Sequence, residues 1–494
     1  MDLLGLAAQQ RARETPAGLA VWTPQGALTF AQLQACTQVL AQALQQAGIQ
    51  PSRAVAVALP NGVTFVPCLL ALRRLGTPVA LVSPLYQDTE LRAIFEGARP
   101  QALLTTPALA RKLAASLAAT HVEEIAVGES GPAVALVFAG TTESAVLPRL
   151  DDAALIKFSS GSTGVPKGIV LTDGNLAAEG RNIVESMALG VDDRILATVS
   201  LGHSYGFDLG VLAMLFSGAA LVLPDFFVPR RIVCDLREHQ VSVFLGVPDL
   251  YRRWLDAALA EPEPPLTRLR YLLSCTAPLD ASLISDFHAR CGGLICQHYG
   301  SSETGAVTLH DPVEVLAHPH AVGRAMRNVV LRIVTGSGTP AVCDEVGEVV
   351  ITSQAVAQRY LMGGPAEDAF LAGAFRTGDL GALDAAGRLT LHGRLGDIIN
   401  IGGMKVSPAE VRTTLERHPA VREAAVIAAW SADGAPQVWA AVTLRNSATT
   451  AELRAYCYSQ LAAYKVPHRI EIRDELPRGA TGKTRLHPSD FSTA

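Results

Sequence analysis

The sequence predicts an α/β protein. A large N-terminal domain of layered, largely parallel sheets with helices takes residues 1–395, and a small C-terminal α+β domain takes residues 396–494. Two observations carry this. Short apolar runs closed by turn residues alternate with helix-period segments along most of the chain, the pattern of parallel strands joined by crossover helices. After about Arg388 the alternation stops, and Gly402-Gly403 leads into a helix, two strands, a helix and a polar tail.

Each element has a local reason. Thr29-Phe30-Ala31-Gln32 fits a capping box, in which two side chains satisfy free N–H groups at a helix start. Phe30, Leu33, Cys36, Leu40 and Leu44 then fall on one helical face, and Gly48 and Pro51 stop the helix. Residues 54–59 form an apolar run ended by Pro60-Asn61-Gly62, which reads as a buried strand. Residues 63–75 read as the next helix and 79–82 as the next strand, and strands recur at 241–245, 271–273 and 293–297. In the last part, 408–417 and 451–461 read as helices and 424–430 and 438–444 as strands.

Composition narrows the function. Apolar residues make up 49% and charged residues 18%, enough to fill a core and too few charges for a disordered chain. The net charge of −5 comes without a basic block, so nucleic acid is not an expected partner. Met1-Asp2-Leu3-Leu4 lacks the basic and apolar regions of a signal peptide. The uncharged stretch 209–224 is shorter than the ~20 residues that cross a bilayer, and its Ser217-Gly218 reads as a turn between a buried helix and a buried strand. Eight cysteines stand without a CxxC pair or metal-ligand spacing. A reduced, cytoplasmic protein with no membrane partner is the expectation.

Four segments carry chemistry. Ser159-Ser160-Gly161-Ser162-Thr163-Gly164 follows a predicted strand and leads to Lys167. Glycines let backbone approach a phosphate, hydroxyls and amides donate to it, and the lysine adds charge. It does not fit the GxxxxGK[ST] loop, and a flexible Ser/Gly loop is the alternative. Tyr299-Gly300-Ser301-Ser302-Glu303-Thr304 joins an aromatic, hydroxyls and a carboxylate that could hold Mg²⁺, a cation that favours oxygen ligands and substrate phosphates; taken alone it reads better as a surface turn. Arg376-Thr377-Gly378-Asp379 and Gly393-Arg394-Leu395-Gly396-Asp397 place carboxylates on turns, where one can accept both hydroxyls of a ribose or simply be solvated. Pro477-Arg478-Gly479-Ala480-Thr481-Gly482-Lys483 reads, alone, as a basic frayed tail.

In order and spacing, these four segments resemble the adenylate-forming superfamily, which includes acyl- and aryl-CoA ligases, amino-acid adenylation domains and firefly-type luciferases. The resemblance spans about residues 19–486. It implies ATP, Mg²⁺ and a small carboxylic acid as reactants, and coenzyme A or the phosphopantetheine of a carrier protein as acceptor. It implies that Ser159 to Lys167 handle the β- and γ-phosphates, Ser302 the α-phosphate and Glu303 the metal. Thr276, Ala277, Pro278 and Tyr299, with Gly300 and Ser301 beside them, would frame the nucleotide, and Asp379 and Arg394 the ribose. Lys483 would meet charge developing at the α-phosphorus, where a carboxylate attacks without needing a base and the obstacle is repulsion between anions. The small domain would be mobile, turning between half-reactions to bring in the loop with Gly402, Gly403 and Lys405. At the hinge, where the family usually has Asp or Lys, this chain has Gly396.

The acid is addressed by Gly202-His203-Ser204-Tyr205-Gly206, similar to the segment where CoA ligases set an aromatic or His beside the substrate carboxylate; a satisfied core histidine is the alternative for His203. Ser274-Cys275-Thr276-Ala277-Pro278 replaces two glycines of the family's usual Ser-Gly-Gly-Ala-Pro by larger residues, so Cys275 and Thr276 should shorten the pocket, with Tyr205 as a wall. A planar aryl or short acid is expected. Asp208 is costly to bury unpaired and could meet a substrate amine. An amino-substituted aryl acid, such as an aminobenzoate, would reconcile the two. The expected enzyme is an AMP-forming acid–thiol ligase making an acyl-CoA. A stand-alone enzyme that loads a carrier protein is the alternative, and a nucleotide sensor without acyl transfer is disfavoured by Lys167, Glu303, Asp379, Arg394 and Lys483.

Overall fold

The computed structural model describes residues 2–84, 86, 88–115, 117, 119–127, 133–139, 148, 150–159, 167–224, 228, 231–257, 268–362, 369–371, 373–397, 399–401, 404–431, 436–478, 484 and 486–491. The chain divides into two compact units, residues 1–331 with 351–375, and residues 332–350 with 376–494.

The first unit holds two sheets. In one, Val55–Ala58, Val79–Leu81, Ala102–Thr105 and Leu155–Ser159 run parallel, and Lys167–Leu171 returns antiparallel along Leu155–Ser159. In the other, Leu19–Thr23, Ala220–Val222, Arg194–Ala197, Val243–Gly246, Tyr271–Ser274 and Ile295–Ser301 are parallel neighbours in that order. Gly305–Leu309 then folds back antiparallel on Ile295–Ser301. The parallel strands are buried on both faces, as Val55–Ala58 and Val243–Gly246 show, which is why they read as continuous apolar runs. The predicted layers and helices are borne out. The helix Phe30–Gln46 starts at Thr29 with both capping-box bonds to Gln32 in place. Past Asp208 the chain forms a π-helical turn, Phe207–Leu212, then the helix Ala213–Ser217, closed by Gly218 at φ 83° before the strand Ala220–Val222. Among the described residues no helix is long and apolar enough to cross a membrane.

In the second unit, Ser407 caps the helix Pro408–Glu416, with Pro408 at its first turn, where a missing N–H costs nothing. Val421–Trp430 and Pro436–Leu444 pair antiparallel, and Arg469–Ile472, a strand not foreseen, adds to Pro436–Leu444 in parallel. Val411, Leu415, Val438, Val442 and Leu453 form the core beneath the helix Thr450–Gln460. The compact units divide at residues 332, 351 and 376. The hairpin Ala374–Leu383/Arg388–Arg394 belongs mostly with the second unit. Thr377 donates to the Val349 carbonyl at 2.8 Å, the Gly378 amide donates to Glu348 at 3.2 Å, and Arg376 pairs with Glu348. Periodicity marks strands, and it cannot say which side of a boundary a β-ribbon packs on.

Candidate active site

The phosphate-loop hairpin opens where Ser159 faces Lys167. Ser160, Gly161, Ser162, Thr163 and Gly164 lie outside the described residues. Lys167 Nζ sits 5.8 Å from the ring centre of Tyr360, and the Tyr360 hydroxyl donates to Glu303 Oε1 at 2.9 Å. Tyr360 thus joins Lys167 to Glu303. Sequence reasoning missed it, because a tyrosine in a short strand has no distinguishing spacing. Its strand, Arg359–Met362, pairs with Lys167–Leu171 and is pinned by a bidentate Arg359–Asp152 ion pair, both contacts at 2.7 Å. The Ala357 amide donates to the Glu303 carbonyl at 2.7 Å, so both the side chain and the backbone of Glu303 are held.

Glu303 stands on the turn between Ile295–Ser301 and Gly305–Leu309. Ser301 and Thr304 bond reciprocally inside that turn, with their hydroxyls 3.0 Å apart. A β-carbon on Gly300 would lie 2.3 Å from the Gly305 carbonyl oxygen, so only glycine permits this close strand exchange. Ser302 reaches across to the acid segment: its hydroxyl and that of Ser204 share a hydrogen bond of 2.7 Å. Two motifs almost a hundred residues apart in sequence therefore meet directly, and Ser204 joins the site as a residue not singled out before.

The acid segment is fixed from behind. Asn61 donates to the Val199 carbonyl and accepts from the Leu201 amide, both at 2.8 Å. His203 caps the short turn Ser204–Gly206 and is half-buried. Tyr205 is buried and stacks on His298, ring centres 6.0 Å apart. Burial drives the Tyr205 phenol well above its ordinary range, with Cys275 a lesser contributor, so it stays protonated and sits near the Ser-Cys-Thr-Ala-Pro segment. Burial also lowers His298 to about 4, which leaves it neutral at neutral pH. Cys275, Thr276 and Ala277 are half-buried and Pro278 is exposed. Thr276 adopts φ 75°, a left-handed conformation that is an outlier for a β-branched residue.

Asp208 requires a correction. It does not present a free carboxylate to a substrate amine. Lys157 Nζ donates to its two oxygens at 2.6 and 2.8 Å, and both side chains are buried. Lys157 lies inside an otherwise apolar strand, and the ion pair offsets the cost of burying it. The sequence showed an uncompensated acid only because its partner is fifty-one positions away.

In the second unit, Asp379 and Arg394 are direct cross-strand partners, with Arg394 Nε donating to Asp379 Oδ1 at 2.7 Å. Gly396 is exposed, and a β-carbon there would meet nothing within 4 Å, so the absent side chain is not a matter of crowding. Gly402, Gly403 and Lys483, and the side chain of Lys405, lie outside the described residues. Of the segment Pro477–Lys483 only Pro477 and Arg478 are described. Arg478 and Thr484 form a β-bridge, and both bond to Glu423 on the strand Val421–Trp430, at 2.9 and 3.3 Å. Glu423 therefore holds Arg478 and Thr484 together.

Residues 8–361 match the AMP-binding enzyme family, and residues 410–483 match the AMP-binding enzyme C-terminal domain. The chain belongs to this family. The expected class, an AMP-forming acid–thiol ligase of the adenylate-forming superfamily, follows from that membership. Among its relatives, the feruloyl-CoA synthase of Amycolatopsis sp is 32% identical, with 96% of each chain covered. The oxalate–CoA ligase of Arabidopsis thaliana is 31% identical, with 92% of this chain and 91% of that one covered. The O-succinylbenzoate coenzyme A synthetase of Bacillus subtilis, solved with ATP and magnesium ion, superimposes with a TM-score of 0.83 at 26% identity, covering 97% of each chain.

Among the described residues no three His, Cys, Asp or Glu side chains cluster as for a metal caged by protein alone. A single carboxylate, Glu303, held between Tyr360 and the Ala357 amide, fits Mg²⁺ of the family's kind, which takes one or two carboxylates and completes its shell with phosphate and water.

Proposed function

We propose that this chain joins an aryl or short carboxylic acid to coenzyme A through an acyl-AMP intermediate. The observation that carries the reading is the Ser204–Ser302 hydrogen bond, which sets the acid segment against the nucleotide turn, with Glu303, Tyr360 and Lys167 alongside. The substrate carboxylate attacks the α-phosphorus of ATP, the bond to the bridging oxygen breaks, and pyrophosphate leaves. The thiol of CoA then attacks the acyl carbon, AMP leaves, and the thiol proton is released. Lys167 with the loop before it binds the phosphates that depart, Ser302 orients the α-phosphate, and His203 orients the carboxylate. Mg²⁺ held at Glu303 supplies charge neutralisation for the phosphates. Asp379 and Arg394 hold the ribose. Lys483 stabilises charge in the first half-reaction, and Lys405 with Gly402 and Gly403 serves the second, with Gly396 as the pivot between them.

Tyr205, Cys275 and Thr276 support an aryl or short acid, since each takes space that a long chain would need. The names of the relatives point the same way for the acceptor. The test is pyrophosphate exchange over aryl, short-chain and long-chain acids, followed by CoA or a carrier protein as acceptor. A benzoate-like or short acid should lead, with AMP formed in step with acyl-CoA. Release of ADP and phosphate, or efficient use of palmitate, would refute the reading.

A further inference from the structure

Lys157 and Asp208 are part of a larger buried group. Glu179, on the helix Asp173–Met187, is 3% exposed, as is Lys157, and Asp208 is 4% exposed. Glu179 Oε1 accepts from the Ala306 amide at 2.6 Å, and Oε2 has no hydrogen-bond partner. That second oxygen lies against Gly305, where a β-carbon would come within 2.1 Å of it. The three side chains lie on three different catalytic segments. Lys157 is two positions before Ser159, where the phosphate loop begins. Asp208 opens the π-helical turn that follows His203 and Tyr205. Glu179 holds the strand leaving the Glu303 turn. A π-helical turn inserts a residue into a helix and recurs at functional sites, because it re-aims the side chains around it.

We propose that Lys157, Asp208 and Glu179 form a positioning unit that keeps the acid segment, the phosphate-loop strand and the Glu303 turn in one fixed arrangement. The inference rests on the adenylation reading above. None of the three needs to touch substrate. The ammonium and the Asp208 carboxylate lock the strand to the π-helical turn, and the Glu179 carboxyl locks the helix to the turn's outgoing strand. Charge arithmetic makes the unit sensitive to Glu179. With Glu179 protonated, one cation faces one anion. With Glu179 ionised, one cation faces two anions in a space without water access.

Burial, and next the Asp208 charge, raise Glu179 to about 8, against the pull of the Ala306 amide and Lys157. The charged groups facing it are Asp208 from the π-helical turn and Lys157 from the strand Leu155–Ser159. Of the other packed elements, Gly305–Leu309 offers the Ala306 amide and Ala213–Ser217 has no titratable side chain. Leu3–Glu14 and Lys167–Leu171 bring no charge that acts on its carboxyl. The proton is therefore held through neutral pH and lost near pH 8, where the unit acquires its second anion.

The test compares wild type, Glu179→Gln and the double variant Lys157→Met/Asp208→Leu. Glutamine keeps the acceptor for Ala306 and stays neutral, and the apolar pair replaces a buried ion pair with little expected loss of fold. Pyrophosphate exchange is followed from pH 6 to 9.5, and backbone hydrogen exchange is measured over residues 199–212 and 302–306. Wild type should lose activity above about pH 8, and Glu179→Gln should keep it. The double variant should melt within about 3 °C of wild type, raise the KM for the acid more than the KM for ATP by roughly tenfold, and exchange faster over 199–212. A double variant with wild-type KM values and wild-type exchange, or a Glu179→Gln enzyme with the wild-type alkaline decline, would overturn the proposal. If wild type exchanged pyrophosphate with no acid at all, the adenylation reading would fall, and the hydrogen-exchange comparison alone would decide whether the three side chains fix these segments.

Discussion

Replacing Thr276 by glycine should make the protein both more stable and less selective. Thr276 stands at φ 75°, where its β-carbon crowds the following carbonyl. Relieving a left-handed residue of this kind returns about 1–2 kcal/mol. Glycine at the same place costs about 0.5–1 kcal/mol through the larger freedom of the unfolded chain. The difference is a gain of about 0.5–1 kcal/mol, or a rise of roughly 0.5–1 °C in Tm for a chain of this size. Under the proposed function the strained residue lines the acid pocket, in keeping with strained residues clustering at ligand sites. Removal of the side chain also opens the pocket by about the volume of a short alkyl group. Acids longer by one or two methylenes, each worth ~1–3 kcal/mol when excluded, should gain at least tenfold in kcat/KM. The assay pairs thermal unfolding with pyrophosphate exchange over a homologous series of acids. A fall in Tm together with an unchanged acid profile would refute both halves of the reasoning.

Further expectations concern single groups. Lys157→Met alone leaves Asp208 buried without its cation and should destabilise by about 3–5 kcal/mol, seen in denaturant unfolding; no loss would mean that the pair is not formed in solution. Glu179 binds its proton more tightly folded than unfolded, so its contribution to stability falls as pH rises from its ordinary value of 4.5 through about 8, then levels off. Tm should therefore decline across that window by an amount worth on the order of 5 kcal/mol at most, and Glu179→Gln should flatten the decline; parallel Tm–pH curves for the two proteins would count against it. Glu423→Ala should loosen the Arg478–Thr484 bridge, whose two residues flank Lys483 in sequence. Like Lys483→Ala, it should lower pyrophosphate exchange far more than thioester formation from supplied acyl-AMP, and an equal loss in both half-reactions would make the bridge merely structural.

Much of this protein was written locally. The capping box at Thr29–Gln32, the apolar runs of the parallel strands and the Ser217-Gly218 turn depend on neighbours within a few residues, so sequence alone determined them. The family was legible for the same reason: its motifs are continuous segments of recognisable residue types. What the tertiary structure decided is partnership. Tyr360 meets Glu303 across fifty-seven positions, Ser204 meets Ser302 across ninety-eight, and Asp208 finds Lys157 rather than a substrate amine. Arg478 and Thr484, bridged to each other, both find Glu423. A charge in a sequence has a type but no environment, and its role is set by the group that folding places within three ångströms of it, because buried charges and hydroxyls must be satisfied by whichever partner is there.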